Sequence, residues 1–88
     1  MDKEIGQAFE AIRRENREKN LSIFEDKWLH KVRMVYLVEK RDNGSYSIPN
    51  KQFGVVDYFP KKDRLLIRKD KKWVSQGLDW ILKNLLYV

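Results

Sequence analysis

The spacing of apolar positions changes character midway along the chain. Ile5, Ala8, Phe9 and Ile12 recur at three- and four-residue steps, as one face of a helix requires, and Asp2 stands where a cap belongs. On the outer face Glu10–Arg14, Arg14–Glu18 and Glu15–Lys19 are spaced to pair. The stripe stops at Ile12, leaving Arg13 to Asn20 as either a solvated helix end or a binding arm. Asn20 and Leu21 interrupt the pattern. Ser22-Ile23-Phe24-Glu25 has the form of a capping box and predicts a second, shorter helix that buries Leu21, Phe24, Trp28, Leu29 and Val32.

Beyond that point the pattern favours strands. Met34 to Lys40 is rich in Val, Tyr and Leu and runs into Arg41-Asp42-Asn43-Gly44, a hairpin turn whose Asn-Gly pair suits positive φ. Ser45 to Ile48 is the return strand, and Pro49 to Gln52 is the next turn. In Phe53 to Pro60, Val55, Asp57 and Phe59 point one way and Val56 and Tyr58 the other, as expected of a central strand. After a turn at Pro60 to Asp63, Leu65 and Ile67 alternate with Arg64, Leu66 and Arg68, so one face meets helices and the other water. Within Lys69 to Leu86, helical spacing returns at Leu78, Ile81, Leu82, Leu85 and Leu86. The predicted fold is α+β: N-terminal helices, a three- to four-stranded antiparallel meander, and a C-terminal helix packed on one face of the sheet. Residues 1–88 read as a single domain, without repeat or linker.

A chain of 88 residues makes a thin core, and its three Trp, four Tyr and four Phe must supply much of the bulk. Nineteen Lys and Arg against thirteen Asp and Glu give a net charge of +6, which favours polyanionic partners and also serves solubility. With no Cys there is no disulfide, thiolate nucleophile or thiolate metal site. No apolar run has the length of a signal peptide or membrane span, so a cytoplasmic protein without a membrane partner is expected. His30 is alone and lacks an orienting partner, and Asp57 is the only carboxylate placed within a strand, where a structural bond to a turn or an Arg suits it. No metal, cofactor or catalytic residue is expected, and the chain reads as a non-enzyme.

Two stretches can carry binding. Lys61, Lys62, Arg64, Arg68, Lys69, Lys71 and Lys72 form the densest basic region, and if the two turns lie at opposite ends of one strand these charges line it as a stripe suited to phosphates. Lys71 and Lys72 just ahead of a helix would reinforce its positive N-terminal end. The alternative is an exposed edge strand protected by Lys. On the last helix Trp73, Trp80 and Tyr87 recur every seven residues, opposite the Leu-rich face and bordered by Gln76 and Lys83; a helix that starts only after Trp73 would break this row. Such a second apolar face is either sandwiched in the fold or meets a partner.

Val56-Asp57-Tyr58-Phe59-Pro60, a strand closing on Arg68, and Gly77 opening a Leu-rich terminal helix resemble short α+β proteins encoded by bacteriophages and prophages. The resemblance spans Val35 to Leu86 and includes the hairpin Glu39 to Gly44; this chain departs from it in carrying Trp73 and Trp80. Those proteins have no assigned activity, so the resemblance supplies no site residues. It implies a setting in which small proteins disable host systems by binding, an anti-CRISPR-like role being one example. The expected function is therefore a non-enzymatic inhibitor of a host protein or nucleoprotein complex in the host cytoplasm. Its expected partner surface is Lys61, Lys62, Arg64, Arg68, Lys69, Lys71, Lys72, Trp73, Trp80 and Lys83. The alternative is direct binding of double-stranded RNA or DNA, since helix, strands and helix is also the order of double-stranded RNA-binding domains.

Overall fold

The computed structural model describes residues 16–87. The helix proposed around Ile5, Phe9 and Ile12, with its Asp2 cap, lies outside them. The described chain is α+β: one N-terminal helix, a five-stranded antiparallel sheet and a C-terminal helix. The strands are β1 (Glu39–Lys40), β2 (Tyr46–Asn50), β3 (Gly54–Phe59), β4 (Arg64–Ile67) and β5 (Lys72–Ser75), arranged in chain order with β3 at the centre.

The break expected at Asn20 and Leu21 between two N-terminal helices is corrected: the described residues hold one N-terminal helix. Residues 16–35 are helical without a break, and Ser22 does not cap. Ile23 keeps right-handed helical angles, and Glu25 turns instead to the sheet, accepting from the Tyr46 hydroxyl and lying 3.6 Å from Lys40 Nζ. The discontinuity that the sequence suggests is taken up by a π-turn at Phe24–Trp28, where the Leu29 N–H donates to the Phe24 carbonyl. In a regular α-helix Phe24 and Leu29 would stand about 140° apart around the axis. The wider π-turn brings them closer in angle, so Phe24, Leu29 and Val32 are all buried on one side. Helix extends through Val35, and only Glu39–Lys40 of the stretch expected as a first strand is a strand.

Register divides the sheet into two faces. Tyr46, Tyr58, Leu65 and Val74 lie in one cross-strand row, with Ile48, Val56, Ile67 and Lys72 in the next. The first three members of the second row and Tyr46, Tyr58 and Leu65 are buried beneath both helices, joined by Phe24, Val32, Ile81 and Leu85. Phe24 stacks edge-on against Tyr58 at 4.8 Å and lies 5.1 Å from Tyr46, one ring wedged against two. Strand β2 runs on through Pro49, which was expected to begin a turn. The Val55 carbonyl accepts from the Arg68 N–H, so Val55 is directed toward β4 and its partner Pro49 toward the outer edge. There β1 has ended, and no neighbour needs the N–H that proline lacks.

The C-terminal helix is shorter than expected. Lys69 to Ser75 does not belong to it: the chain turns at Arg68–Lys71, adds β5, and starts the helix at Gly77 (Gly77–Asn84). Lys71 and Gln76, at φ 51° and 53°, have left-handed backbone that ends any helical continuity on either side of β5. The helix sits so close to the sheet that a Cβ on Gly77 would meet Tyr58 Cε1 at 2.8 Å. Asp63 joins the two layers: its carboxylate accepts from the Tyr58 hydroxyl at 2.8 Å and the Leu78 N–H at 2.9 Å, and its carbonyl accepts from the Gly77 N–H.

Candidate binding face

The face of the sheet turned away from the helices carries the candidate site. Glu39, Ser47, Asp57, Leu66 and Trp73 form a row across all five strands, and Phe59, Arg64 and Ser75 form the adjoining row. On β4, Arg64, Leu66 and Arg68 therefore stand on one side in sequence, an apolar residue between two guanidinium groups. Phe59 from β3 and Trp73 from β5 reach toward each other over β4, with ring centroids 5.6 Å apart and planes inclined at 43°. Phe59 and Leu66 are half-buried, whereas Trp73 is 56% exposed. An indole this open is a surface feature rather than core bulk; Met34, Val35, Leu37 and Tyr87 are also exposed.

Electrostatics on this face are arranged around one ion pair. Arg68 donates through Nε and Nη2 to the two carboxylate oxygens of Asp57 at 2.6 and 2.8 Å, a bidentate contact that fixes the guanidinium plane. The bond to Asp57, and then its charge, raise the Arg68 pKa above its usual value. Asp57 is thereby buried and neutralised, as its position in the strand suggested, while Arg68 stays exposed. Lys61 and Lys62 occupy the turn before β4 and Lys69 and Lys71 the turn after it, all exposed. The charges thus bracket β4 at both ends, and the aromatic and aliphatic side chains fill the span between. At the first of these turns the Asn20 amide donates to the Lys61 carbonyl at 3.3 Å, linking the exposed start of the described helix to the same region.

The remaining expected site residues go elsewhere. Lys72 lies in a row that faces the helix layer, at the edge. Trp80 is half-buried on the C-terminal helix, packed edge-on against Phe53 at 4.8 Å, and Lys83 is exposed on that same helix, on the opposite layer from Trp73. The seven-residue row of Trp73, Trp80 and Tyr87 is therefore not a helix face, because Trp73 is in a strand. The anion site expected from Lys71 and Lys72 at a helix N-terminus is also not formed: the helix begins at Gly77, and Asp63 already accepts its first N–H groups. Phe59 and Leu66 were not among the expected site residues, although Leu66 was expected on the face that meets water. Their alternation with Tyr58, Leu65 and Ile67 was visible, and a two-sided apolar strand with helices on one side only was the available signal.

Among the described residues no group of His, Asp and Glu is placed to hold a metal ion, and no helix is long and apolar enough to cross a membrane. A groove of about 530 Å³ at the opposite edge, lined by Val35, Leu37, Pro49, Leu85 and Tyr87 among others, contains Lys51 as its single charged residue. The two surfaces therefore differ in charge as well as position. Comparisons with known protein families, curated proteins and solved structures found no match.

Proposed function

We propose that the chain acts by binding and not by catalysis, attaching through the uncovered face of its sheet to a host protein or nucleoprotein complex and so inhibiting it. The observation that carries this reading is the position of Trp73: an exposed indole beside Phe59 and Leu66, on a face that carries Arg64 and Arg68 and has exposed lysines in the turns at both ends of β4. Trp and Arg are the side chains that contribute most at interface centres, and Lys61, Lys62, Arg64, Lys69 and Lys71 outnumber the exposed carboxylates Asp70 and Glu39 once Arg68 is paired with Asp57. The host setting comes from the resemblance of Val56 to Pro60, Arg68 and Gly77 to short phage-encoded proteins.

Recovery of tagged protein with its partners from bacterial host lysate, with and without nuclease, tests the reading. A retained partner should be lost with Trp73→Ala and with the charge reversal Lys69→Glu plus Lys71→Glu, and kept with Lys83→Glu on the other layer. Loss with Lys83→Glu but not with Trp73→Ala would place the contact on the helix side and refute it.

A further inference from the structure

Resting on that reading, we propose that this face is a platform for unpaired nucleic acid, and that the single-stranded segment of a nucleoprotein is what it grips. Three observations favour a single strand over a duplex. Trp73 and Phe59 offer ring surface at the middle of the face, which bases can use only when their own faces are uncovered. Arg68 is fixed by Asp57 through two bonds, so a planar cationic group joins the two rings on the same side of the sheet, and among the described residues its Nη1 has no partner. The lysines are divided between the turns at the two ends of β4, Lys61 and Lys62 at one and Lys69 and Lys71 at the other. A strand laid along β4 meets cation, ring and cation in turn. A duplex presents phosphates outside and hides its base faces, so it would waste the apolar centre and pay to desolvate it.

Backbone geometry adds a separate indication. Three of the four turns of the meander, at Arg41–Gly44, Pro60–Asp63 and Arg68–Lys71, close with the last N–H donating to the first carbonyl, and their last residues have φ of 85°, 51° and 51°. Glycine fills the first, and Asp63, bonded to Tyr58 and Leu78, the second. Lys71 fills the third, although a long side chain is disfavoured in left-handed backbone. A cation is held where glycine would fit better, in the turn that leads into β5 and Trp73.

The full chain is titrated into labelled oligothymidine and oligouridine of about twelve nucleotides, and into a duplex of equal length, by fluorescence anisotropy. Single strands should bind at least about tenfold tighter than the duplex. With about four phosphates neutralised, the logarithm of the binding constant should fall with a slope near −3 against log salt between roughly 50 and 200 mM. Trp73→Ala should weaken binding about tenfold or more while Trp73→Phe stays within about threefold, a rescue that a purely structural role would not show. Both variants should keep the wild-type circular dichroism spectrum, because Trp73 is exposed on an edge strand. Duplex binding as tight as single-strand binding, or equal effects of Ala and Phe at position 73, would overturn the proposal. Failure to bind any oligonucleotide, while a nuclease-resistant host partner is still captured in a Trp73-dependent way, would assign the face to protein and leave the broader reading standing. Loss of both would end the two together.

Discussion

Asp63 is the residue through which the sheet and C-terminal helix hold each other, and its removal has a calculable effect. In Asp63→Ala the Leu78 N–H loses the acceptor that caps the helix, at a cost of about 1 kcal/mol. The Tyr58 hydroxyl, buried at 1% exposure, loses its partner too, and a buried unsatisfied hydroxyl costs about 1–3 kcal/mol. Alanine at φ 51° adds about 1 kcal/mol, because it lacks the tolerance for left-handed backbone that Asp and Asn have. Together these amount to about 3–5 kcal/mol, a large share of the roughly 4–13 kcal/mol that a domain of this length possesses. The midpoint of thermal unfolding should fall by roughly 10–40 °C. Asp63→Asn keeps an oxygen acceptor and tolerates φ of 51°, and should lose only about 1 kcal/mol, mainly the favourable charge at a helix N-terminus. Urea unfolding followed by circular dichroism measures both. Adding Tyr58→Phe separates the contributions: without the hydroxyl, Asp63→Ala should cost only about 2 kcal/mol, from the cap and the left-handed backbone. Equal losses for Ala and Asn at position 63, or an Asp63→Ala loss unchanged by Tyr58→Phe, would show that Asp63 does not act through these bonds.

Two further outcomes follow from the same geometry. Burial, then the hydrogen bond to Glu25, push the Tyr46 pKa up to about 12 from its ordinary 10.0, so the folded state favours the neutral phenol. Its contribution to stability is complete below pH 10 and is lost as pH climbs toward 12; absorbance at the phenolate band against pH should therefore show Tyr46 titrating late, and Tyr46→Phe should remove its share of the alkaline destabilisation. Lys71→Gly should leave folding stability within about 1 kcal/mol of wild type or raise it, since relief of left-handed strain opposes the entropy glycine adds to the unfolded chain. The same variant should weaken oligonucleotide binding and reduce the salt slope by about one, as anisotropy would show.

The meander was legible because its signals are local and repeat. Val56 and Tyr58 against Val55, Asp57 and Phe59, and Leu65 and Ile67 against Arg64, Leu66 and Arg68, assign both faces of β3 and β4 by parity alone, and burial follows that division except at Asp57, which is buried. Asn43-Gly44 marked its hairpin, though only Gly44 takes positive φ, while the Asn43 side chain accepts from Ser45. The N-terminal helix was harder. Ser22 and Glu25 have capping spacing, but Glu25 gains more from Tyr46 and Lys40 across the domain, and such partners lie far away in sequence. A π-turn likewise leaves no periodic signature, since it replaces the break that a change of phase would suggest.

The error over β5 and the misplacement of the site have one origin. Trp73, Trp80 and Tyr87 fit a seven-residue repeat only if Lys69 to Leu86 is one helix, and Trp73-Val74 are equally at home in a strand. What decides between them is the backbone at Lys71 and Gln76, where two side chains of ordinary size adopt left-handed angles that their residue types do not advertise. With β5 in place, Trp73 leaves the company of Trp80, crosses to the other side of the sheet and meets Phe59; without it, β4 would be an edge and the face too narrow to hold a ring on each side of Leu66. Pairing with β5 also turns the basic run Arg68 to Lys72 into a hairpin, which sets Lys69 and Lys71 at the end of β4 opposite Lys61 and Lys62. The charge distribution and the exposed indole are therefore products of the same strand. A substitution that unpairs β5 should remove them together, whereas one that empties the groove near Leu37 and Pro49 should leave both in place.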